Sequence, residues 1–326
     1  MEGVMMKNQE KYAVAVRKPD HEIEVKVSEY TGIIRNKKIR NMPILRGVFS
    51  FIESLVLGMQ TLTYSASFFE DEEVDKKKKE PMTEEERRRQ EQKEKKQENA
   101  MMGGTVVLSI VLAVAVFMML PYYLSTLFQK VITSQWVIAL LEGVIRLVIF
   151  IGYVALISLM KDIRRVYMYH GAEHKCINCI EHGMDLTVDN VRKSSRFHKR
   201  CGTSFLLIVM LVSILFFMFI RVDSPILRVV LRLLLIPVIA GVSYEVLRLA
   251  GTSNSKIMDI VSRPGMWMQG LTTKEPDDSM IEVAIVAVEA VFDWKKYLEE
   301  NFPELYPAGY FEREDQTGKN VQEITA

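Results

Sequence analysis

Four long apolar segments limit the folds that are open to this chain. They are 103–128, 135–160, 203–221 and 226–250, and each holds close to the ~20 apolar residues that a membrane span needs. A segment inside a bilayer must satisfy its own backbone polar groups, so it crosses as a helix. The sequence therefore predicts a mainly α-helical, polytopic membrane protein with about four transmembrane helices.

The charged residues are segregated from these segments. The mean hydropathy is +0.08 although 25% of the residues are charged. Lys and Arg concentrate in the N-terminal region and in the loop 161–202, while the links 129–134 and 222–225 carry little positive charge. By the positive-inside rule we expect both termini and the 161–202 loop to be cytoplasmic. The net charge of +1 gives no reason to expect nucleic acid as a partner, whereas the lipid bilayer is one.

The remaining stretches predict a small cytoplasmic α+β portion. Two β-rich runs within 12–27 flank a turn at His21 and indicate an N-terminal β-hairpin. A helix is expected to begin near Asp277, and its apolar face would include Ile281, Ala284 and Val288. We predict a tail without fixed structure from about Glu312. The expected organisation is a hairpin region at 1–42, an interfacial or re-entrant amphipathic helix at 43–70, a charged linker at 71–100, a membrane domain with the loop 161–202 at 101–250, and C-terminal helices with a tail at 251–326.

One short motif carries recognisable chemistry. His170 and His174 stand four residues apart, so on a helix both imidazoles project from one face. Two such nitrogens can bind one Zn²⁺ at ~2.0–2.1 Å, and Glu173 beside them could act as general base on a metal-activated water. The order His-x-x-Glu-His is that of the inverted zinc proteases. Two polar residues on a helix at a membrane surface would produce the same pattern without a metal.

Further ligands could come from three residues. His198 and Cys201 lie later in the same loop, and Glu245 lies at the depth where that loop leaves the membrane. A rival arrangement is a structural Cys₃His zinc site made of Cys176-x-x-Cys179 and His198-x-x-Cys201. The odd number of cysteines, all inside one basic loop, argues against a disulfide framework.

Charges inside the apolar segments predict a contact between two of the helices. Glu142 lies 142 − 135 = 7 residues into its segment and Arg232 lies 232 − 226 = 6 residues into another, so at ~1.5 Å per residue their depths agree. A lone carboxylate at that depth is costly. We expect Glu142 to pair with Arg232, with Arg228 as second choice and Arg146 as an intrahelical competitor.

Several motifs resemble the YqhQ-like family of bacterial integral membrane proteins, whose function is unknown and which is classed among candidate metal-dependent enzymes. The resemblance runs from residue 1 to about 295, and it implies a bacterial cell-membrane location. Where this chain has Cys176 the family more often has Thr, which weakens the Cys₃His interpretation. We therefore favour a metal site of His170, His174 and one or more of His198, Cys201 and Glu245. The motifs are Glu2-Gly3-Val4-Met5-Met6, Tyr169-His170-Gly171-Ala172-Glu173-His174-Lys175, Arg200-Cys201-Gly202-Thr203-Ser204-Phe205, Tyr244-Glu245 and Leu271-Thr272-Thr273-Lys274-Glu275-Pro276-Asp277-Asp278.

The leading interpretation is a metal-dependent hydrolase, a peptidase being one form of it, at the cytoplasmic face of the membrane. Its cofactor would be Zn²⁺ or another divalent transition metal. The alternative is a non-enzymatic scaffold or accessory factor for an export or envelope complex, with a structural metal and with a membrane protein or a second copy as partner. A transporter that uses the intramembrane charges is a third interpretation, and four spans without a visible repeat make it weaker.

Overall fold

The computed structural model describes residues 2–30, 32, 42–74, 84–220, 222, 224–252 and 255–313. An antiparallel sheet at the N-terminus is followed by helices. The helices form two groups, one of apolar helices and one that packs on the sheet. The helices are α1 Leu45–Val74, α2 Glu84–Val114, α3 Leu120–Thr126, α4 Gln135–Ile157, α5 Lys161–Glu181, α6 Val188–Lys193, α7 Gly202–Met218, α8 Pro225–Thr252, α9 Lys256–Thr272, α10 Asp278–Glu289 and α11 Trp294–Asn301, with a π-helical turn Ala115–Met119 between α2 and α3.

The N-terminal sheet has three strands in the order β1 (Gly3–Asn8), β2 (Lys11–Arg17) and β3 (Ile23–Glu29). The hairpin that the alternating pattern predicts is confirmed as β2 and β3. Strand β1 adds a third member in register Met5 to Val14. Sequence reasoning assigned no strand there, because a six-residue run that starts at the chain's third residue carries little alternation.

Three helical stretches are long and apolar enough to cross a membrane in the part of the chain that the structure describes. They are Gly103–Thr126, Gln135–Ile157 and Ile226–Thr252. The predicted third span, α7, has 17 residues, which at ~1.5 Å per residue reach ~25 Å and fall short of the ~30 Å hydrocarbon core. The expected count of four spans is therefore not confirmed, whereas a mainly helical chain with apolar, membrane-compatible helices is.

Helices α5 and α10 lie at the centre of the group that packs on the sheet. These two helices pack against each other, and α10 also packs on β1 and β2. The apolar face predicted for this helix is buried, since Ile281, Ala284 and Val288 are at most 4% exposed. Asp277 caps α10 by accepting a hydrogen bond from the Met280 N–H at 3.0 Å, which explains why the helix begins there.

Helix α9 connects the apolar helices to the group that packs on the sheet. It packs on α7, α8 and α4, and its last residues lead into the segment that lies along α5. The backbone N–H of Lys274 donates to the carbonyl of Tyr167 at 2.9 Å. A Cβ added to Gly171 would lie 2.1 Å from the Lys274 carbonyl oxygen, so the glycine permits this close approach.

Two segments that the sequence analysis named as a loop and as a linker contain helix in the described residues. The loop expected at 161–202 is largely helical, because α5 occupies its first half and α6 part of the second. The charged linker expected at 71–100 belongs to α1 up to Val74 and to α2 from Glu84, while 75–83 lie outside the described residues. The predicted tail also lies outside them from residue 314.

Candidate metal centre

Helix α5 presents the two histidines of the motif side by side. The imidazole rings of His170 and His174 have centroids 4.4 Å apart, as the i, i+4 spacing on a helix requires. His174 is buried, while His170 is partly exposed. The pair is therefore accessible from one side only.

Backbone carbonyls hold both rings in a fixed orientation. Nδ1 of His170 lies 3.0 Å from the Thr272 carbonyl oxygen, and Nδ1 of His174 lies 2.7 Å from that of Arg196. A carbonyl only accepts, so each Nδ1 carries the proton and each Nε2 is left with a free lone pair in the neutral ring. Histidines that bind a metal through one ring nitrogen usually donate a hydrogen bond from the other nitrogen in this way.

Cys201 completes the group from the N-terminus of α7. Its Sγ lies 3.2 Å from His170 Nε2 and accepts a hydrogen bond from the Thr203 backbone N–H at 3.4 Å, which makes it the N-cap of the helix. The ligand atoms of His170, His174 and Cys201 all lie within 4.8 Å of one another. Two imidazoles and one thiolate are a donor set that suits Zn²⁺ and other borderline-soft divalent metals.

The electrostatics of the group favour a thiolate. Burial by itself would raise the pKa of Cys201, but hydrogen bonds and charge from His170 and His174 outweigh it and lower that pKa to about 5. Burial would likewise lower the pKa of His170, yet the thiolate beside it raises the value to about 9. Without a metal the two form an ion pair, and with one the thiolate is already the form that binds.

Glu173 directly precedes His174, is partly exposed, and lies within the electrostatic influence of His170, His174 and Cys201. Burial raises the pKa of its carboxyl group, against the opposing pull of the charges on His170 and His174. A carboxylate of raised pKa suits a general base, because proton transfer is most efficient when the pKa approaches the working pH.

His198 belongs to the surroundings of the cluster. Its ring centroid lies 5.9 Å from that of His174, but its Nε2 lies 3.2 Å from a carboxylate oxygen of Glu181. The fully buried Gln269 accepts from the His198 backbone N–H at 2.9 Å and donates to its carbonyl at 2.7 Å. Among the described residues, His198 is therefore near the cluster without joining its ligand atoms.

Glu245 is held elsewhere. Arg46 Nε donates to its Oε1 at 2.6 Å, and a second guanidinium nitrogen of Arg46 contacts the other oxygen. This pair lies where α1 crosses α8, at the close approach of Gly47 to Tyr244. Both oxygens of Glu245 have an arginine partner, so the structure does not bring this sequence-predicted ligand to the histidines.

The rival Cys₃His arrangement is not assembled in the described residues. Cys176 is completely buried in the apolar core between α5 and α10, and Cys179 packs in the same core with its Sγ 3.3 Å from the Asp185 carbonyl oxygen. Burial raises the pKa of both thiols. These two cysteines therefore pack as small apolar residues, and only Cys201 reaches the histidines.

Sequence reasoning missed the residues that position the cluster. Lys175 Nζ donates to the carbonyls of Arg192 and Ser194 at 2.9 and 2.8 Å. One turn along α5, Asn178 Nδ2 donates to the carbonyls of Ser195 and Phe197 at 2.7 and 3.0 Å. Together they hold the 192–197 segment so that the Arg196 carbonyl faces His174. The signal available in the sequence was that two polar residues, Lys175 and Asn178, follow His174 closely on the same helix.

The charged residues within the apolar helices form a second cluster, in which Glu142, Arg146 and Arg232 are buried. Arg232 Nη2 lies 2.9 Å from Glu142 Oε2 and its Nη1 contacts Oε1, while Arg146 Nη2 lies 2.8 Å from Glu142 Oε1. Of the three partners weighed for Glu142 from the sequence, the structure thus shows two, Arg232 and Arg146. The second choice, Arg228, instead donates to the Val222 carbonyl at 2.6 Å.

Fold and site together define the class of this protein. In the part of the chain that the structure describes, it is a mainly helical protein with three apolar helices of membrane-spanning length, a small N-terminal antiparallel sheet, and a group of two histidines and one cysteine that could hold a metal ion.

The chain belongs to the family described as "Protein of unknown function (DUF1385)", whose model matches residues 42–294. It is 33% identical over 311 residues to "Uncharacterized protein YqhQ" of Bacillus subtilis (strain 168), across 92% of this chain and 93% of that protein. No solved structure matches the chain. The resemblance to the YqhQ-like family is thereby confirmed, whereas neither description assigns a metal-dependent activity.

Proposed function

We propose that this protein is a metal-dependent hydrolase of the bacterial membrane, with Zn²⁺ or another divalent transition metal held by His170, His174 and Cys201. One observation carries the proposal. The Nε2 atoms of two helical histidines and the Sγ of Cys201 converge, while each Nδ1 donates to a carbonyl. Three protein ligands with an open fourth position are typical of catalytic rather than structural zinc sites.

The residues around the ligands support hydrolysis over a purely structural role. A metal bound there would supply Lewis-acid polarisation of a carbonyl and of water. Glu173, partly exposed and with a raised pKa, would take a proton from water and later give it to the leaving group. A peptide is one substrate class that this chemistry admits, and the neighbouring apolar helices favour one at the membrane surface.

Metal analysis of the purified full-length protein tests the ligand set. We expect about one equivalent of transition metal in the wild type, and its loss in His174→Ala, because three ligands are the minimum for tight binding. His182→Ala is the matched control: His182 is the C-cap residue of the helix that carries His174, its Nδ1 lies 2.7 Å from the Asn178 carbonyl oxygen, and this variant should keep the metal. Wild-type protein without stoichiometric metal, purified without chelator, would refute the proposal.

Glu173→Gln separates a catalyst from a scaffold. A general base is not a ligand, so this variant should keep its metal and its fold while hydrolytic activity falls by about 10²–10⁴. If metal content is normal and the function of Glu173→Gln in cells is unchanged, the metal is structural, and the alternative of an accessory factor for an export or envelope complex holds.

A further inference from the structure

A cavity lies at the opposite end of the apolar helices from the histidines and Cys201. It has a volume of about 430 Å³ and lies between α4, α7, α8 and the link that follows α3. Helix α7 begins beside Cys201 and ends at Met218, which lines this cavity. Its 17 residues separate the two sites by ~25 Å. The cavity is therefore no part of the candidate metal centre.

The charges at this cavity do not balance among the described residues. Glu142, Arg228 and Arg232 line it, and Arg146 is bound to Glu142 just behind them. Counted together, these residues carry three guanidinium groups and one carboxylate, a net charge of 3 − 1 = +2. Glu142, Arg146 and Arg232 are each at most 4% exposed, so water does little to screen this excess.

The arginines also retain unused donors. Arg232 is 3% exposed, and its Nε has no hydrogen-bond partner among the described residues. The Nε of Arg228 is likewise buried without one, although its guanidinium lies 4.6 Å from the centroid of the Tyr122 ring. Buried donors without a partner cost free energy. A ligand that accepts several hydrogen bonds would remove this cost and the charge excess together.

The lining fits a phosphate group. Arginine N–H groups match phosphate oxygens in pairs. The neutral polar residues Gln129, Thr133 and Gln135 line the same cavity and can donate further hydrogen bonds. Ile138, Phe217 and Ile220 form an apolar side, which would suit the glycerol and acyl carbons next to a lipid phosphate.

We propose that this cavity binds a phosphate-bearing anion, either an anionic lipid headgroup or a free phosphate. Arg228 and Arg232 would make the main contacts with the phosphate. The site goes beyond the proposed hydrolase, because it uses different residues at the other end of the helices. Failure of one proposal would leave the other intact.

Binding to the full-length protein in an uncharged detergent tests this site. Native mass spectrometry would compare phosphatidylglycerol with zwitterionic phosphatidylcholine. We expect stronger binding of phosphatidylglycerol, weakened about tenfold by Arg228→Gln and also by Arg232→Gln. The control is Arg248→Gln, an exposed arginine on the same helix, which should bind as the wild type does. Displacement by inorganic phosphate would indicate a soluble anion, and its failure to displace would indicate a lipid headgroup.

Three results would overturn the proposal. They are equal binding of the two lipids without any effect of phosphate, wild-type affinity in both arginine variants, or equal weakening in Arg248→Gln. Asp223 lies outside the described residues and is next to Val222 in the chain, so Asp223→Asn is measured as well. If binding appears only in Asp223→Asn, the chain's own carboxylate fills the cavity and the proposal is wrong.

Discussion

Asn178 provides the most informative test of how the candidate metal centre is held. Its side-chain amide donates to the carbonyls of Ser195 and Phe197 at 2.7 and 3.0 Å. Between these two residues lies Arg196, whose carbonyl oxygen is 2.7 Å from His174 Nδ1. Asn178→Ala removes both bonds without touching a ligand atom, so its effect on metal affinity must pass through the Arg196 carbonyl.

The expected size follows from these contacts. Each lost hydrogen bond contributes about 1 kcal/mol to stability, so the variant should unfold about 2 kcal/mol more easily. Loss of an outer-sphere partner typically weakens metal affinity about 10–100-fold, which corresponds to about 1.4–2.8 kcal/mol at about 1.4 kcal/mol per tenfold. Asn178→Ala should therefore remain folded but bind metal distinctly more weakly.

Competition against a chromophoric zinc chelator, beside thermal melting of the same samples, measures both quantities. The control is Asn190→Ala, which loses a comparable bond from Nδ2 to the Asp185 carbonyl at 3.0 Å. It should lose stability but keep wild-type metal affinity. Equal affinities in all three proteins, or an equal loss in both variants, would show that the 192–197 segment does not position His174.

Three further predictions concern packing, pH and topology. Gly171→Ala places a Cβ 2.1 Å from a backbone carbonyl oxygen and should lower the free energy of unfolding, measured by denaturant melts, by about 1–3 kcal/mol. The control is Gly152→Ala, which has open space around it and should be neutral or mildly stabilising. Burial raises the pKa of Glu2, but the bond from Arg165 outweighs this effect and the net shift is downward. The ion pair of Glu2 therefore stabilises the folded protein above the unfolded-state pKa of about 4.5, and this contribution is lost as the pH falls from there through the lower folded-state pKa. The melting temperatures of wild type and Glu2→Gln should differ at pH 7, and the difference should shrink as the pH falls below about 4.5 and vanish only below the folded-state pKa; a constant difference would contradict this sign. An engineered cysteine in the 129–134 link should be labelled from outside intact cells, and labelling only after permeabilisation would reverse the proposed orientation.

Sequence patterns predicted those structural features whose physical cause lies within a single segment of the chain. The spacing of His170 and His174 fixes their common face, because backbone hydrogen bonding sets the period of a helix. The apolar positions of α10 were predictable for the same reason, and so was its start, since Asp277 can satisfy an N–H that the helix leaves free. Alternation likewise indicated the strand from Ile23 to Glu29.

Features that depend on how distant segments pack were not predictable. Sequence reasoning offered His198, Cys201 and Glu245 as further ligands without a means to choose among them. In the structure Cys201, the residue that precedes α7, lies with its Sγ 3.2 Å from Nε2 of His170 on α5. Glu245 pairs with Arg46 instead, because Gly47 allows α1 to cross α8 closely at that level.

The sequence alone determined that this chain is mainly helical, that it carries apolar helices of membrane-spanning length, and that two histidines and a carboxylate share one region of a helix. These properties follow from hydrogen bonds and apolar periodicity within single segments. Only the tertiary structure decided that Cys201 joins the histidines, that backbone carbonyls orient their rings, and that Glu142 is shared by Arg146 and Arg232. Apart from the contact of Arg146 with Glu142, which lies four residues away in the same helix, each of these depends on atoms that are distant in the chain, and their separation is set by the packing of whole helices rather than by any local preference.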